Sequence, residues 1–242
     1  MGNFLRELIF FLYPPICAGC GQPLPPPAQG AFCCKCASRL ELIRQPYCPD
    51  CGLPLPLAAT KSYLCGDCLI GSYHFDRARA AGVYRGLLRQ VLHSFKYEGK
   101  TFLARALVQL LQPCCQEIGQ TAAIDFVVPV PLHRTRLRTR GFNQAAILAH
   151  HLGRDLKIPV KYQELRRVRQ TDPQVGLSRS QRRANVRGAF RIRGAKEFKG
   201  KTLLLVDDVM TTGETVNQCA QVLKRHGAKT VFVLTVARTA ML

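Results

Sequence analysis

Residues 203–215 read Leu203-Leu204-Leu205-Val206-Asp207-Asp208-Val209-Met210-Thr211-Thr212-Gly213-Glu214-Thr215, and this stretch decides the fold. Its unbroken apolar start predicts a strand buried on both faces, the form that strands take in parallel sheets. The two acids stand at the carboxyl end of that strand, where open α/β sheets place their ligands. Carboxylates there accept hydrogen bonds from vicinal sugar hydroxyls. Thr211, Thr212, Gly213, Glu214 and Thr215 then turn into a helix. Their backbone N–H groups and hydroxyls converge at its positive end, a place suited to a 5′-phosphate, and Gly213 lets the backbone come close.

Outward from this stretch the same pattern continues. Residues 201–206, 214–226 and 230–237 predict strand, helix and strand, with Gly227 as the helix stop. Upstream, residues 75–84 predict a strand, and residues 87–97 a helix through Leu88, Val91, Leu92 and Phe95. Residues 101–111 predict a further amphipathic helix, 125–130 a buried strand, and 143–156 a helix ending near 157–159. Strand and helix alternate, which predicts an α/β fold. Gly194-x5-Gly200-Lys201-Thr202 has one residue too many for a nucleotide-binding P-loop and precedes its strand, so it predicts no ATP site.

Over all thirteen positions, residues 203–215 resemble the phosphoribosyl-pyrophosphate (PRPP) binding motif of type I phosphoribosyltransferases. The resemblance implies a phosphoribosyltransferase-like parallel sheet with PRPP as ligand or substrate. Asp207, Asp208, Thr211, Thr212, Gly213, Glu214 and Thr215 would hold it, Asp207 and Asp208 would be the catalytic candidates, and Mg²⁺ would balance the leaving diphosphate. In that fold the loop after the first core strand meets the pyrophosphate. Here Val127-Val128-Pro129-Val130-Pro131-Leu132-His133 ends a strand with backbone kinks, and Arg134, Arg136, Arg138 and Arg140 alternate through what reads as a turn before Gly141-Phe142-Asn143-Gln144. Arg140 and Asn143 are the candidates to grip it, arginine by bidentate pairing.

Nine of the twelve cysteines fall within the first 68 residues, and eight of them form CxxC pairs: Cys17/Cys20, Cys33/Cys36, Cys48/Cys51 and Cys65/Cys68. Prolines break this segment too often for long helices, so its order must come from elsewhere. Two CxxC pairs supply the four thiolates of one closed structural zinc site. The repeats favour one set of Cys17, Cys20, Cys33 and Cys36 and another of Cys48, Cys51, Cys65 and Cys68 over an interleaved arrangement. Disulfides are the competing use of such pairs, and a reducing compartment disfavours them. Zinc and iron are not distinguished by spacing. The composition changes after Cys68, which predicts a double zinc-ribbon domain over residues 1–70 and a phosphoribosyltransferase-like domain over 71–242.

The formal charge of +20 is lopsided. Residues 1–68 hold 5 Lys/Arg against 4 Asp/Glu, whereas residues 133–201 alone hold 19 against 4. That density attracts polyphosphate or nucleic acid. Residues 166–190 are polar, arginine-rich and weakly periodic, and they place bases beside amides at Arg169-Gln170, Gln174, Arg182-Arg183 and Asn185. The apolar run at residues 8–13 is too short for a secretory core, and no stretch approaches the roughly 20 residues that span a bilayer. A cytoplasmic protein without stable membrane insertion is expected. The segment 4–13 is read as a helix packed on its own domain, with membrane or partner docking as the other possibility.

The CxxC pairs, Phe95-Lys96-Tyr97, Val130-Pro131, Arg140-Gly141-Phe142-Asn143-Gln144, Gln174, Asn185, Phe190 and the Asp207 motif together resemble the ComF competence family over nearly the whole chain. That resemblance implies a role in natural transformation, where such proteins assist internalised single-stranded DNA on the cytoplasmic side. A helicase-like competence protein is the implied partner. Three readings stand: a DNA-handling adaptor with a PRPP pocket, a phosphoribosyltransferase acting on an unknown nitrogen acceptor, and a zinc-ribbon scaffold.

Overall fold

The computed structural model describes residues 14–25, 30–56, 58–71, 73–170 and 187–240. The segment 4–13 and the stretch 171–186, with Gln174, Leu177, Arg182, Arg183 and Asn185, lie outside the described residues. The described α-helices and β-strands are, in chain order, α1 (Cys34–Ala37), α2 (Gly66–Leu69), β1 (Arg77–Val83), α3 (Gly86–Tyr97), α4 (Leu103–Gly119), β2 (Phe126–Pro129), α5 (Arg134–Arg140), α6 (Gln144–Leu156), β3 (Leu165–Arg167), β4 (Phe190–Ile192), β5 (Thr202–Met210), α7 (Glu214–Arg225) and β6 (Thr230–Arg238), with a 3-10 turn at Ala195–Phe198.

Four strands form a parallel sheet in the order β1-β6-β5-β2, and β3 and β4 form a separate antiparallel pair. β5 is apolar at successive positions because both its faces are covered. Leu203 and Leu205 pack with Val231, Val233, Val216 and Leu223, on the side of α7. Leu204 packs in the opposite layer with Leu107, Leu111, Leu148 and Leu152, from α4 and α6. Burying each such leucine contributes about 1.5–3 kcal/mol, so β5 is the anchor of the sheet.

The β3–β4 pair, at the two ends of the weakly periodic stretch 166–190, was not expected from the sequence, and three further elements differ from the expectation. β5 runs on to Met210, which places Asp207 and Asp208 inside the strand instead of just past it. α4 reaches Gly119 instead of ending near residue 111, because apolar spacing continues through Leu111, Cys115 and Ile118. Pro113 lies on its exposed side together with Gln109, so the carbonyl that proline leaves unbonded faces water. The alternating arginines form the helix α5, not a turn. His133 caps its start by accepting the Thr135 N–H at 3.3 Å, and Gly141, in the left-handed conformation, ends it.

The cysteine segment folds around single-turn helices and lies along β1, an edge strand. The Ala78 N–H donates to the Asp50 carbonyl at 2.6 Å, Ile43 N–H to Ala81 at 2.9 Å and Val83 N–H to Glu41 at 2.8 Å. The segment thereby covers backbone groups that an edge strand otherwise exposes. Gly52, at φ +68°, lets the chain pass β1, since a Cβ there would stand 2.7 Å from the Ala78 oxygen. Among the described residues no helix is long and apolar enough to cross a membrane.

Candidate functional site

A cleft of about 460 Å³ opens beyond the carboxyl ends of β2 and β5, with Asp207 and Asp208 in its wall. Both acids are buried, at 9% and 3% exposure. Asp207 Oδ1 accepts the Asp208 N–H at 2.9 Å, and Asp208 Oδ1 accepts the Val209 N–H at 2.8 Å, which fixes both carboxylates on the strand. The Lys96 ammonium, from the last turn of α3, sits 2.6 Å from Asp208 Oδ2.

Burial pushes the Asp207 carboxyl up to about 7, against the pull of Lys96, Arg167 and Arg140. Burial likewise draws the Lys96 ammonium down to about 8, while Asp207 opposes the shift. A carboxyl raised in the fold binds its proton more tightly there than in the unfolded chain. Its contribution to stability is complete below the unfolded value of 3.8 and is lost as pH rises through about 7. Asp207→Asn should therefore raise the melting temperature relative to wild type at pH 8, with the advantage shrinking toward pH 4. Thermal unfolding across that range checks it, and an advantage independent of pH would contradict it.

The turn after β5 brings Thr211, Gly213, Glu214 and Thr215 into the cleft wall. Gly213 adopts φ +79°, and a Cβ there would stand 2.6 Å from the Met210 methyl and 3.2 Å from the Tyr73 ring. Thr212 turns its carbonyl to the Tyr73 hydroxyl, which donates to it at 3.1 Å. The Thr212 hydroxyl is buried without a hydrogen-bond partner among the described residues. Asn217, buried in α7, accepts the His74 N–H at 2.7 Å and ties the helix to the segment before β1.

Arg140 lines the cleft, donates to Gln144 Oε1 at 2.7 Å and stacks over the Tyr97 ring at 4.8 Å. Asn143 stands behind the wall. Its Oδ1 accepts the Ala145 N–H at 3.0 Å, capping α6, and its Nδ2 donates to the Val130 carbonyl at 3.1 Å. It thus holds the loop after β2 against α6 and does not reach the cleft itself. The cleft also receives Lys96, Arg89, Arg136 and Arg167, which reasoning on the sequence did not single out as site residues. Phe95-Lys96-Tyr97 was visible as a motif, but nothing in it says which cavity the lysine enters.

Both cysteine sets gather their sulfurs within 4.8 Å of one another, Cys17, Cys20, Cys33 and Cys36 in one and Cys48, Cys51, Cys65 and Cys68 in the other. The Cys20–Cys33 and Cys51–Cys65 sulfur separations are 3.9 and 3.6 Å. Four thiolates about 2.3 Å from one tetrahedral ion stand about 3.8 Å apart, whereas a disulfide needs about 2.05 Å. The donor sets therefore fit two structural zinc ions. Burial tends to raise the Cys17 thiol, but the Cys33, Cys20 and Gly19 amides bring it down to about 6. In the same way the Cys51, Cys65 and Asp50 amides outweigh burial at Cys48 and bring it to about 7. In each set the backbone amides thus favour the thiolate form of one sulfur.

Residues 137–240 match the model of the phosphoribosyl transferase domain, and residues 8–69 match the double zinc ribbon domain. The chain is 33% identical over 227 residues to competence protein F of Haemophilus influenzae, covering 92% of this chain and 90% of that protein. The chain belongs to the competence protein F family. Members of this family that it resembles include the DNA utilization protein YhgH of Escherichia coli K12, 35% identical over 72% of this chain and 78% of that protein. Competence protein ComFC of Streptococcus pneumoniae is 28% identical over 72% and 74%. Among solved structures, a purine phosphoribosyltransferase from Pyrococcus horikoshii aligns with 57% of this chain and 83% of its own, at 19% identity and a TM-score of 0.36.

Proposed function

We propose that this protein binds PRPP in the cleft above β5, with Mg²⁺ on the diphosphate, and holds single-stranded DNA on the adjoining basic surface to assist DNA uptake in natural transformation. One observation carries the reading of the cleft: two buried carboxylates run through a small-residue turn directly into the amino end of α7. The carboxylates accept from the ribose hydroxyls. The turn, with Thr211, Gly213, Glu214 and Thr215 in the cleft wall, then offers its amides to the 5′-phosphate, at the positive end of a helix of 12 residues. Arg136, Arg140 and Arg167 stand in the same wall and match a diphosphate in charge. Mg²⁺, when bound, supplies charge neutralisation of that diphosphate.

The DNA reading draws on the relatives, named as competence and DNA utilization proteins, and on the charge outside the cleft. Arg166 and Arg191 face each other across β3 and β4, and like charges in register destabilise a strand pair until an anion joins them. α5 adds Arg134 and Arg138 on a helix with no buried residue. Such a surface follows a phosphate backbone without reading sequence. Such work belongs to the cytoplasm.

Fluorescence anisotropy of a labelled single-stranded oligonucleotide tests this part. Affinity should fall with rising salt, and Arg134→Ala/Arg138→Ala should lower the slope of log affinity on log salt by about 1–2. Unchanged affinity and slope in the variant would remove the DNA from this surface.

A further inference from the structure

Lys96 belongs to α3, ahead of residues 137–240 that match the phosphoribosyl transferase domain. The helix is held by a buried face of Leu87, Leu88, Val91, Leu92 and Phe95, the last of them 0% exposed. That anchoring commits the next side chain to the cleft. Its ammonium stands 2.6 Å from Asp208 Oδ2, and the two side chains are 14% and 4% exposed. A lysine so far from water is kept charged only by a partner, and here the partner is one of the two carboxylates proposed to take the ribose. At neutral pH it keeps its proton, since burial lowers it only to about 8.

Two adjacent carboxylates repel a phosphorylated sugar unless a cation offsets them, and the cation usually recruited for that is divalent. We infer that Lys96 is the built-in cation of the ribose end of the cleft, standing at Asp208 where a divalent ion would otherwise stand, so that a ribose 5-phosphate group binds there without metal. Mg²⁺ keeps its place on the diphosphate. The inference rests on the PRPP reading and adds to it a binding residue from outside the matched domain. Without the ammonium, Asp208 would meet the ligand with uncompensated charge, and an ion from solution would have to enter.

Ribose 5-phosphate isolates this end, because it carries the diol and the 5′-phosphate but no diphosphate. Calorimetric titration into the full chain with its zinc retained, in metal-depleted buffer and again with excess Mg²⁺, should give wild-type affinities within about threefold of each other. Lys96→Met should bind about 30-fold more weakly in the metal-depleted buffer and regain most of the loss with Mg²⁺. Lys96→Arg, which keeps the charge, should stay metal-independent, and circular dichroism confirms that each variant is folded. A wild type that needs Mg²⁺ to bind ribose 5-phosphate overturns the inference without any variant. So does a folded Lys96→Met with wild-type affinity in both buffers. If PRPP binds while ribose 5-phosphate shows either of those results, the assignment of Lys96 alone falls. If neither ligand binds the wild type, the PRPP reading falls with it.

Discussion

Removing metal from the two cysteine sets is expected to unfold the cysteine segment and uncover β1. The segment has little regular structure of its own: its helices α1 and α2 are 4 residues each, and its prolines exclude longer ones. Cys48 and Cys51 are 0% and 1% exposed, and with Cys65 they pack into the same cluster as Phe75, Val128 and Met210. Structural zinc contributes about 10–16 kcal/mol of apparent binding energy in small ribbon-like modules, more than the whole stability of an ordinary domain. Thiol modification in the presence of a chromophoric chelator should release two zinc ions per chain, and Cys51→Ser should release one. Circular dichroism and limited proteolysis should show the segment lost while β5 and β6 remain protected. A metal-free chain with an unchanged spectrum and cleavage pattern would contradict this, and visible charge-transfer bands would assign iron instead of zinc.

Glu117→Ala is expected to cost about 3 kcal/mol, well above an ordinary surface substitution. Glu117 lies on α4 and pairs with Arg79 of β1 at 2.6 Å, where the arginine is 6% exposed. Arg79 also donates to the carbonyls of Pro49 and Ala78, both at 2.8 Å, and stacks over the Tyr47 ring at 4.8 Å. The Tyr47 hydroxyl donates to the other Glu117 oxygen at 2.7 Å. One carboxylate therefore ties the cysteine segment, the sheet edge and a core helix together, and truncating it leaves a buried guanidinium with no counter-charge. Urea unfolding of the zinc-loaded protein measures the loss. Replacing both partners, as Arg79→Met/Glu117→Leu, should recover much of it, because the desolvated charge goes too. A loss below about 1 kcal/mol would mean that water already satisfies the arginine.

The fold was legible where local pattern and tertiary role coincide. Residues 203–215 combine an apolar run with a turn, and that combination has few structural solutions. The CxxC spacing likewise pointed to the ligand sets that the sulfur positions now support. α5 escaped detection because a helix normally announces itself by an apolar stripe, and α5 buries no residue; it is made by a cap and a left-handed glycine. The candidate site was legible in its acids, its turn and Arg140. Lys96 and Arg167 enter the same cleft from α3 and β3, and their destination depends on how those elements pack, which spacing along the chain does not encode. Asn143 shows the opposite case: its place beside Arg140 suggested a ligand contact, and its side chain serves as the cap of α6.

The central claim is that the cleft above β5 is a PRPP site built on Asp207 and Asp208. Calorimetric titration of PRPP with Mg²⁺ into the wild type and into Asp207→Ala/Asp208→Ala tests it most directly. Binding by the wild type and a loss of about 100-fold or more in the folded variant is the predicted result. No binding by the wild type, or equal binding by both proteins, would contradict it.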